Sequence, residues 1–329
     1  MQRNHGIDLV RLIAAFAIIL LHSGYGYIPQ VYVDNIRLLT RWAVPFFFLA
    51  SGYLLAPKID TAFFGIQKSS RKLIFVFIIS SIIYTPIQLL KGNSFQIQHL
   101  FTGTFFHLWF ISALLFGIVF MWGMYQLRLQ KLLPYLAVII IMTLLYTDSY
   151  DALFQQSVDY DDFRFLLSIP LLYIGTLIAK RKWHQQISYS TCILFILFGF
   201  MLQIIESNFL LYRYHYEAIH HQLLSGTIVA SIPIFILSLK WMLKENRLSI
   251  WGRKYSLFLY LYHPIAYMGI YTTINLIMPA YFKALQPLYP FIAFFSTLIV
   301  AQFLERKVGY FYQLLTGNSK SIDTIHEKY

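Results

Sequence analysis

The chain has 329 residues, of which 58% are hydrophobic, 19% aromatic and only 12% charged. A soluble globular domain carries about twice that charged fraction, so the composition excludes one and predicts a polytopic membrane protein. The formal net charge of +12 would suit a nucleic-acid partner, but its distribution has a topological cause, set out below. The one cysteine, Cys192, lies within an apolar run, which excludes disulfides, thiolate metal sites and redox motifs.

The first apolar segment, 7–22, lacks a short hydrophobic core followed by a small-residue cleavage site, so no cleavable signal peptide is expected. It carries Asp8, Arg11 and His22 instead. Ionisable groups at membrane depth are costly and mark function. Residues eleven apart return to within about 20° of one helix face, roughly 16 Å along the axis. Arg11 and His22 therefore share a stripe, with Asp8 one turn below Arg11, and that stripe is expected to face a bundle interior.

The next segments are 42–56 and 73–90. In the first, Pro45 frees a backbone carbonyl and Ser51-Gly52 admits a close helix neighbour. Lys68, Arg71 and Lys72 precede the second. They either anchor it at the cytoplasmic face or clamp an anionic cofactor. Segment 108–125 opens with His107-Leu108-Trp109, where Trp109 is an interfacial aromatic or, beside His107, part of an acceptor site.

Segments near 132–147, 164–180, 189–205, 223–243, 254–278 and 288–304 complete a set of ten. The loop after 147 holds Asp148, Asp151, Asp159, Asp161 and Asp162 without metal-ligand spacing, as a solvated loop would. His215, His220 and His221, with Glu217, resemble a metal site only weakly, and no metal is expected. On segment 254–278, Ser256, Tyr260 and His263 fall on one face, and Pro264 kinks it. His263 is either a structural buried histidine or part of a reaction chamber. No glycine-rich phosphate loop, Gly-x-Ser-x-Gly elbow or His-Glu-x-x-His motif is present.

With the N-terminus in the cytoplasm, the inside regions hold 19 lysines and arginines and the outside loops five: Arg37, Arg41, Lys91, Arg213 and Lys283. Arg11 and Arg164 lie in or at the edge of a span. The positive-inside rule thus supports an all-α protein of about ten transmembrane helices with both termini cytoplasmic. Residues 1–310 form one membrane domain and 311–329 a short cytoplasmic tail. No polar stretch is long enough for a soluble domain, so the site is expected within the helices and their loops.

The run Gly6-Ile-Asp8-Leu-Val-Arg11 through His22 resembles the opening signature of the acyltransferase 3 family of integral membrane acyltransferases. Val44-Pro45-Phe46-Phe47-Phe48 with Ser51-Gly52-Tyr53, His107-Leu108-Trp109-Phe110, and Ser256 through Tyr260 to His263-Pro264 follow in the family's order. The resemblance implies transfer of an acyl group, usually acetyl, from cytosolic acetyl-CoA to a hydroxyl of a cell-surface or lipid-linked glycan. It implies a multi-pass protein of the bacterial cytoplasmic membrane, in contact with lipid and not with nucleic acid. By motif, His22 is the catalytic histidine, with Arg11 its basic partner and Asp8 beside it. Arg71 and Lys72, with Lys68, match the basic entrance for the CoA phosphates, although the family is richer in arginine there. His107, Trp109, Tyr260, His263 and Ser51 would bind substrate or support the site. Many members add a soluble hydrolase-like domain. This chain stops about 25 residues after the tenth segment, so its membrane part would suffice or recruit an envelope-assembly partner protein.

The first, fourth and ninth segments also resemble the membrane half of the membrane-bound serine/alanine racemases of vancomycin resistance, whose implied role is moving or supplying an amino acid. No racemase domain is present, so racemization is not expected. Chemically, a neutral histidine can take a proton from an acceptor hydroxyl or carry the acyl group itself, and Arg11 can hold developing negative charge. His22, some 22 Å from the inner end of its helix, would need a donor channel from the cytosol. The alternatives are a carrier of a small polar molecule such as an amino acid, and a non-catalytic partner in surface-polymer assembly.

Overall fold

Lipid offers no hydrogen-bond partner to backbone N–H and C=O groups, so long apolar runs must satisfy them internally as helices. A computed structural model describes residues 4–61, 64–154, 163–216 and 222–317, and within them every regular element is helical. Arg3, Asp159, Asp161, Asp162, Glu217, His220, His221, Lys320 and Lys328 lie outside the described residues. The longer helices are α1 (His5–Leu21), α2 (Gln30–Thr40), α3 (Ala43–Leu55), α4 (Phe64–Leu90), α5 (Trp109–Gln126) and α6 (Leu133–Thr147). They continue as α7 (Ser168–Lys180), α8 (Tyr189–Tyr214), α9 (Ser225–Lys240), α10 (Arg247–Ile277), α11 (Tyr289–Lys307) and α12 (Gly309–Thr316).

The protein is a helical membrane protein. Among the described residues, six stretches are long and apolar enough to cross a bilayer: Gln30–Leu55, Ile66–Leu90, Trp109–Gln126, Gln130–Thr147, Tyr189–Tyr214 and Pro279–Lys307. That is fewer than the ten expected, for two physical reasons. Helix α7 has 13 residues and α9 has 16, short of the roughly 20 that span 30 Å. Helix α1 has 17 residues and carries Asp8 and Arg11, and the apolar run of α10 is diluted by tyrosines, His263 and Pro264. The segment expected at 42–56 also joins α2, from which only Arg41 and Trp42 separate it.

Helix ends gather at two levels. At one, Asn4 caps α1 by accepting from the Gly6 and Ile7 N–H groups, and its Nδ2 donates to the Leu239 carbonyl at the end of α9, 2.6 Å away. Tyr189, opening α8, donates to the Lys240 carbonyl, and Lys254 of α10 pairs with Glu305 of α11 at 2.6 Å. Lys180, ending α7, pairs with Asp60 beyond α3 at 2.8 Å. Helix α12 covers the start of α4, where Gly317 lies against Lys72 and Val76.

At the opposite level, the start of α9 is tied to α6 and α8. The Glu206 carboxylate accepts from the Ser225 and Gly226 N–H groups at 3.2 and 3.0 Å and from the Tyr150 hydroxyl at 2.5 Å. Negative charge at a helix N-terminus offsets its dipole. Asp148, directly after α6, accepts from the N–H of Gln222 at 2.8 Å and of Leu223.

Two close approaches set the helix layout. A Cβ on Gly252 of α10 would stand 1.7 Å from the Asp8 carbonyl oxygen of α1. Gly52 of α3 and Gly175 of α7 are reciprocal, each Cβ position falling 2.2 Å from a carbonyl oxygen of the other helix. The Ser51-Gly52 pair thus allows the close neighbour its sequence predicts.

Two outcomes follow from these contacts. Gly252→Val is expected to lower stability by about 1–3 kcal/mol through forced overpacking. Gly269→Ala, where nothing lies within 4 Å of the new methyl, should leave the melting temperature of the detergent-purified protein unchanged. Burial also pushes the Asp148 carboxyl up to about 7, against the Leu223 and Gln222 amides and the charge of Arg41. Its folded-state value lies above its unfolded one, so the proton is held more tightly in the fold. Stability relative to Asp148→Asn should therefore fall as pH rises from about 4 to 7 and level off above. Melting curves of the two proteins across that range check it.

Candidate functional site

Helices α1 and α10 run side by side in the same direction. Gly252 meets Asp8, the Tyr267 hydroxyl accepts from the Gly24 N–H at 2.8 Å, and His263 faces His22, all in nearly one register. In that register Arg253 stands level with Arg11, and each helix carries its histidine ten or eleven residues farther on. At 1.5 Å per residue the two arginines lie roughly 15 Å from the two histidines.

The histidine level holds three imidazoles. The His22 and His263 rings are near parallel, with centroids 6.2 Å apart and planes at 14°. His107, just before α5, sits 5.8 Å from His263 at 61°. Their tautomers follow from their neighbours. Pro264 has no N–H to give the carbonyl four residues back, which is that of Tyr260. His263 Nδ1 fills that position, lying 2.9 Å from the Tyr260 carbonyl and 3.0 Å from that of Leu259. His107 Nε2 lies 3.0 Å from the Leu261 carbonyl, which also accepts from Tyr84 at 2.7 Å. Carbonyls only accept, so both nitrogens carry the proton. The lone pairs sit on His263 Nε2 and His107 Nδ1, both buried and without a partner. The Tyr260 hydroxyl donates to the His107 carbonyl and locks α10 to the start of α5.

Two cavities flank this level. A small one of about 140 Å³ is lined by His22, His263, Lys91, Phe106 and Tyr267 among others. Here His22, exposed at the end of α1, packs edge-on against Phe106 at 4.8 Å. The other, of about 620 Å³, extends to the arginine level and is lined by Arg11, Arg253, Lys58 and Lys72, with Ser51 and Tyr260. Tyr260, 5.2 Å from Phe110 and 5.6 Å from His107, lines the larger cavity and touches the histidine cluster.

Of the residues singled out from sequence, His22, His107 and His263 come together. Arg11, Lys72, Ser51 and Tyr260 line the larger cavity. Asp8 is buried and holds Arg11 at 3.4 Å. Lys68 and Arg71 are exposed and line neither cavity. Trp109 is engaged elsewhere, its ring carrying the Arg164 guanidinium at 4.9 Å. Sequence reasoning missed Arg253, Lys58, Tyr84 and Lys91. Arg253 was legible: extending segment 254–278 by one residue puts it on the face of Ser256, Tyr260 and His263. Tyr84, Lys58 and Lys91 have no such spacing.

Among curated proteins, the chain is 32% identical over 133 residues to an amino-acid racemase of Enterococcus faecalis, covering 36% of this chain and 19% of the relative. It is 27% identical over 303 residues to a serine/alanine racemase of Enterococcus gallinarum, covering 82% of this chain and 41% of the relative. The chain thus spans less than half the length of these relatives. No solved structure matches it. Residues 4–306 match the acyltransferase domain family, and the chain belongs to that family.

Proposed function

We propose that the protein is an O-acyltransferase that passes an acyl group, in the first instance acetyl, from acyl-CoA to a hydroxyl of an envelope glycan or glycan precursor. The observation that carries the reading is the pair of cavities beside the histidine cluster, one basic and one lined by the imidazoles of His22 and His263. Four cations suit the phosphates of a CoA donor, and the His22 imidazole, stacked on His263 in the other cavity, suits a base. The basic residues Lys72, Lys180, Lys240 and Lys254 gather toward the level of Arg11, which favours that level as the cytoplasmic side of a ten-span bundle in the bacterial cytoplasmic membrane.

The reaction then runs as follows. Arg11, Arg253, Lys58 and Lys72 hold the donor's phosphates, and its thioester reaches past Tyr260. His22, at the mouth of the small cavity, takes the proton of the acceptor hydroxyl. The hydroxyl oxygen forms its bond to the thioester carbon, the carbon–sulfur bond breaks, and the thiolate recovers the proton from the His22 imidazolium. His263, with its tautomer fixed by carbonyls, lines the same chamber with an acceptor rather than an N–H donor, and His107 packs behind it.

The racemase names of the relatives favour a second reading, in which this fold carries an amino acid across the membrane. Acyl-CoA dependence separates the two. Reconstituted with acetyl-CoA and cell-envelope acceptor, wild-type protein should release CoA, and His22→Ala should lower kcat by about 10²–10⁴-fold. Full activity in that variant would remove His22 from the chemistry. Amino-acid uptake without acetyl-CoA dependence would favour the carrier.

The two donor-site assignments also differ measurably. Arg253→Ala and Lys72→Ala should each raise the KM for acetyl-CoA roughly tenfold, the worth of one charge-assisted hydrogen bond, while Arg71→Ala should change it little. The reverse order would place the donor outside the large cavity.

A further inference from the structure

The small cavity contains a cation that the reaction above does not use. Lys91 follows directly on α4 and lines this cavity with His22 and His263. Its ammonium stands 5.3 Å over the ring of Phe105, which is itself buried and 5.0 Å from Phe106, the ring packed on His22. The cation–π contact holds the flexible side chain over the cavity. No carboxylate lines the cavity, and among the described residues none pairs with Lys91. Arg37, on α2, lies close enough to Tyr267 of the same cavity for its charge to act on that hydroxyl. The chamber is therefore bounded by neutral imidazoles and positive charge, with no built-in counter-ion.

We propose that Lys91 is a specificity-determining residue that binds an anionic group, carboxylate or phosphate, borne by the acceptor close to its reacting hydroxyl. A cavity of about 140 Å³ admits only the reacting end of a large acceptor, so the group that Lys91 meets belongs to the sugar being modified or its immediate neighbour. The ammonium stands past the far end of α4 from Lys72, nineteen residues or roughly 28 Å along the helix, and in a different cavity from the four donor-side cations, so its anion is the acceptor's and not the donor's. This inference rests on the acyltransferase reading for what the anion is attached to, but the anion subsite itself can be tested separately.

The test uses the full chain in detergent and three soluble probes: methyl glucuronoside, methyl glucoside and glucose 6-phosphate. Affinity is read by thermal shift. Methyl glucuronoside or glucose 6-phosphate should bind wild type roughly fivefold more tightly than the neutral methyl glucoside, the scale of one partly exposed ion pair. That preference should vanish in Lys91→Ala and persist in Lys91→Arg, which keeps the charge. The anionic probe that shifts in a Lys91-dependent way names the group as carboxylate or phosphate. Equal affinity of all three probes for wild type would overturn the proposal, as would an anionic preference that survives in Lys91→Ala. CoA release is measured in parallel. Lys91-dependent anion binding without any acetyl-CoA turnover would sink the acyltransferase reading and leave the subsite standing.

Discussion

The register between α1 and α10 governs the position of every group in the site. Two backbones can approach as these do only where one lacks a side chain, and Gly252 against the Asp8 carbonyl is that point. Because the two helices run in the same direction, a match at one level is a match at every level within their contact. Arg11 then stands level with Arg253, and His22 with His263. A shift of one residue in either helix would rotate its stripe by about 100° and separate both pairs at once.

Lipid surroundings make the polar groups of these two helices interdependent. Arg11 and Arg253 on one cavity wall repel each other, and each has a carboxylate to offset that: Asp8 for the first at 3.4 Å, Glu245 for the second at 2.9 Å. At the histidine level the problem is the reverse, since unpaired imidazole nitrogens are costly to bury. Pro264 settles half of it by releasing the Tyr260 carbonyl, which His263 then occupies. The same kinked stretch offers the Leu261 carbonyl to both His107 and Tyr84. The α10 backbone around Pro264 thus fixes the tautomers of His263 and His107, and the nitrogens left without partners on these two are acceptors rather than donors. Those acceptors are what a proton-transfer site requires.

The stripe of Asp8, Arg11 and His22 was legible because helical periodicity is rigid: three residues fixed in sequence are fixed in space once α1 forms. The face of Ser256, Tyr260 and His263 was legible for the same reason, and with Arg253 added it repeats the α1 pattern. Span number was harder to read. Helix length, hydropathy and charge each give a boundary, and at α1, α7, α9 and α10 these boundaries do not coincide with a full apolar span. The basic run Lys68-Ser-Ser-Arg71-Lys72 misled in part, since the face of α4 turned to the cavity carries Lys72 and Ser69, while Lys68 and Arg71 point away. Lys91 was invisible as a site residue because it sits past a helix end, where no periodicity places it. Only Phe105 and Phe106, fourteen and fifteen residues on, bring it back to His22.

The two cavities differ more than fourfold in volume, and that asymmetry bears on where selectivity resides. A donor held in the larger one is gripped along its length by charged groups, so its recognition is spread over several contacts. An acceptor that reaches only into the smaller one is recognised by few groups within the fold, so each must discriminate strongly. Neutral imidazoles cannot distinguish one sugar hydroxyl from another by charge. A fixed ammonium beside them can, because a neighbouring anion either meets it or does not. On the proposed reading, then, the chemistry belongs to α1 and α10, while the choice of acceptor belongs to the end of α4 and the rings that carry Lys91 to the cavity.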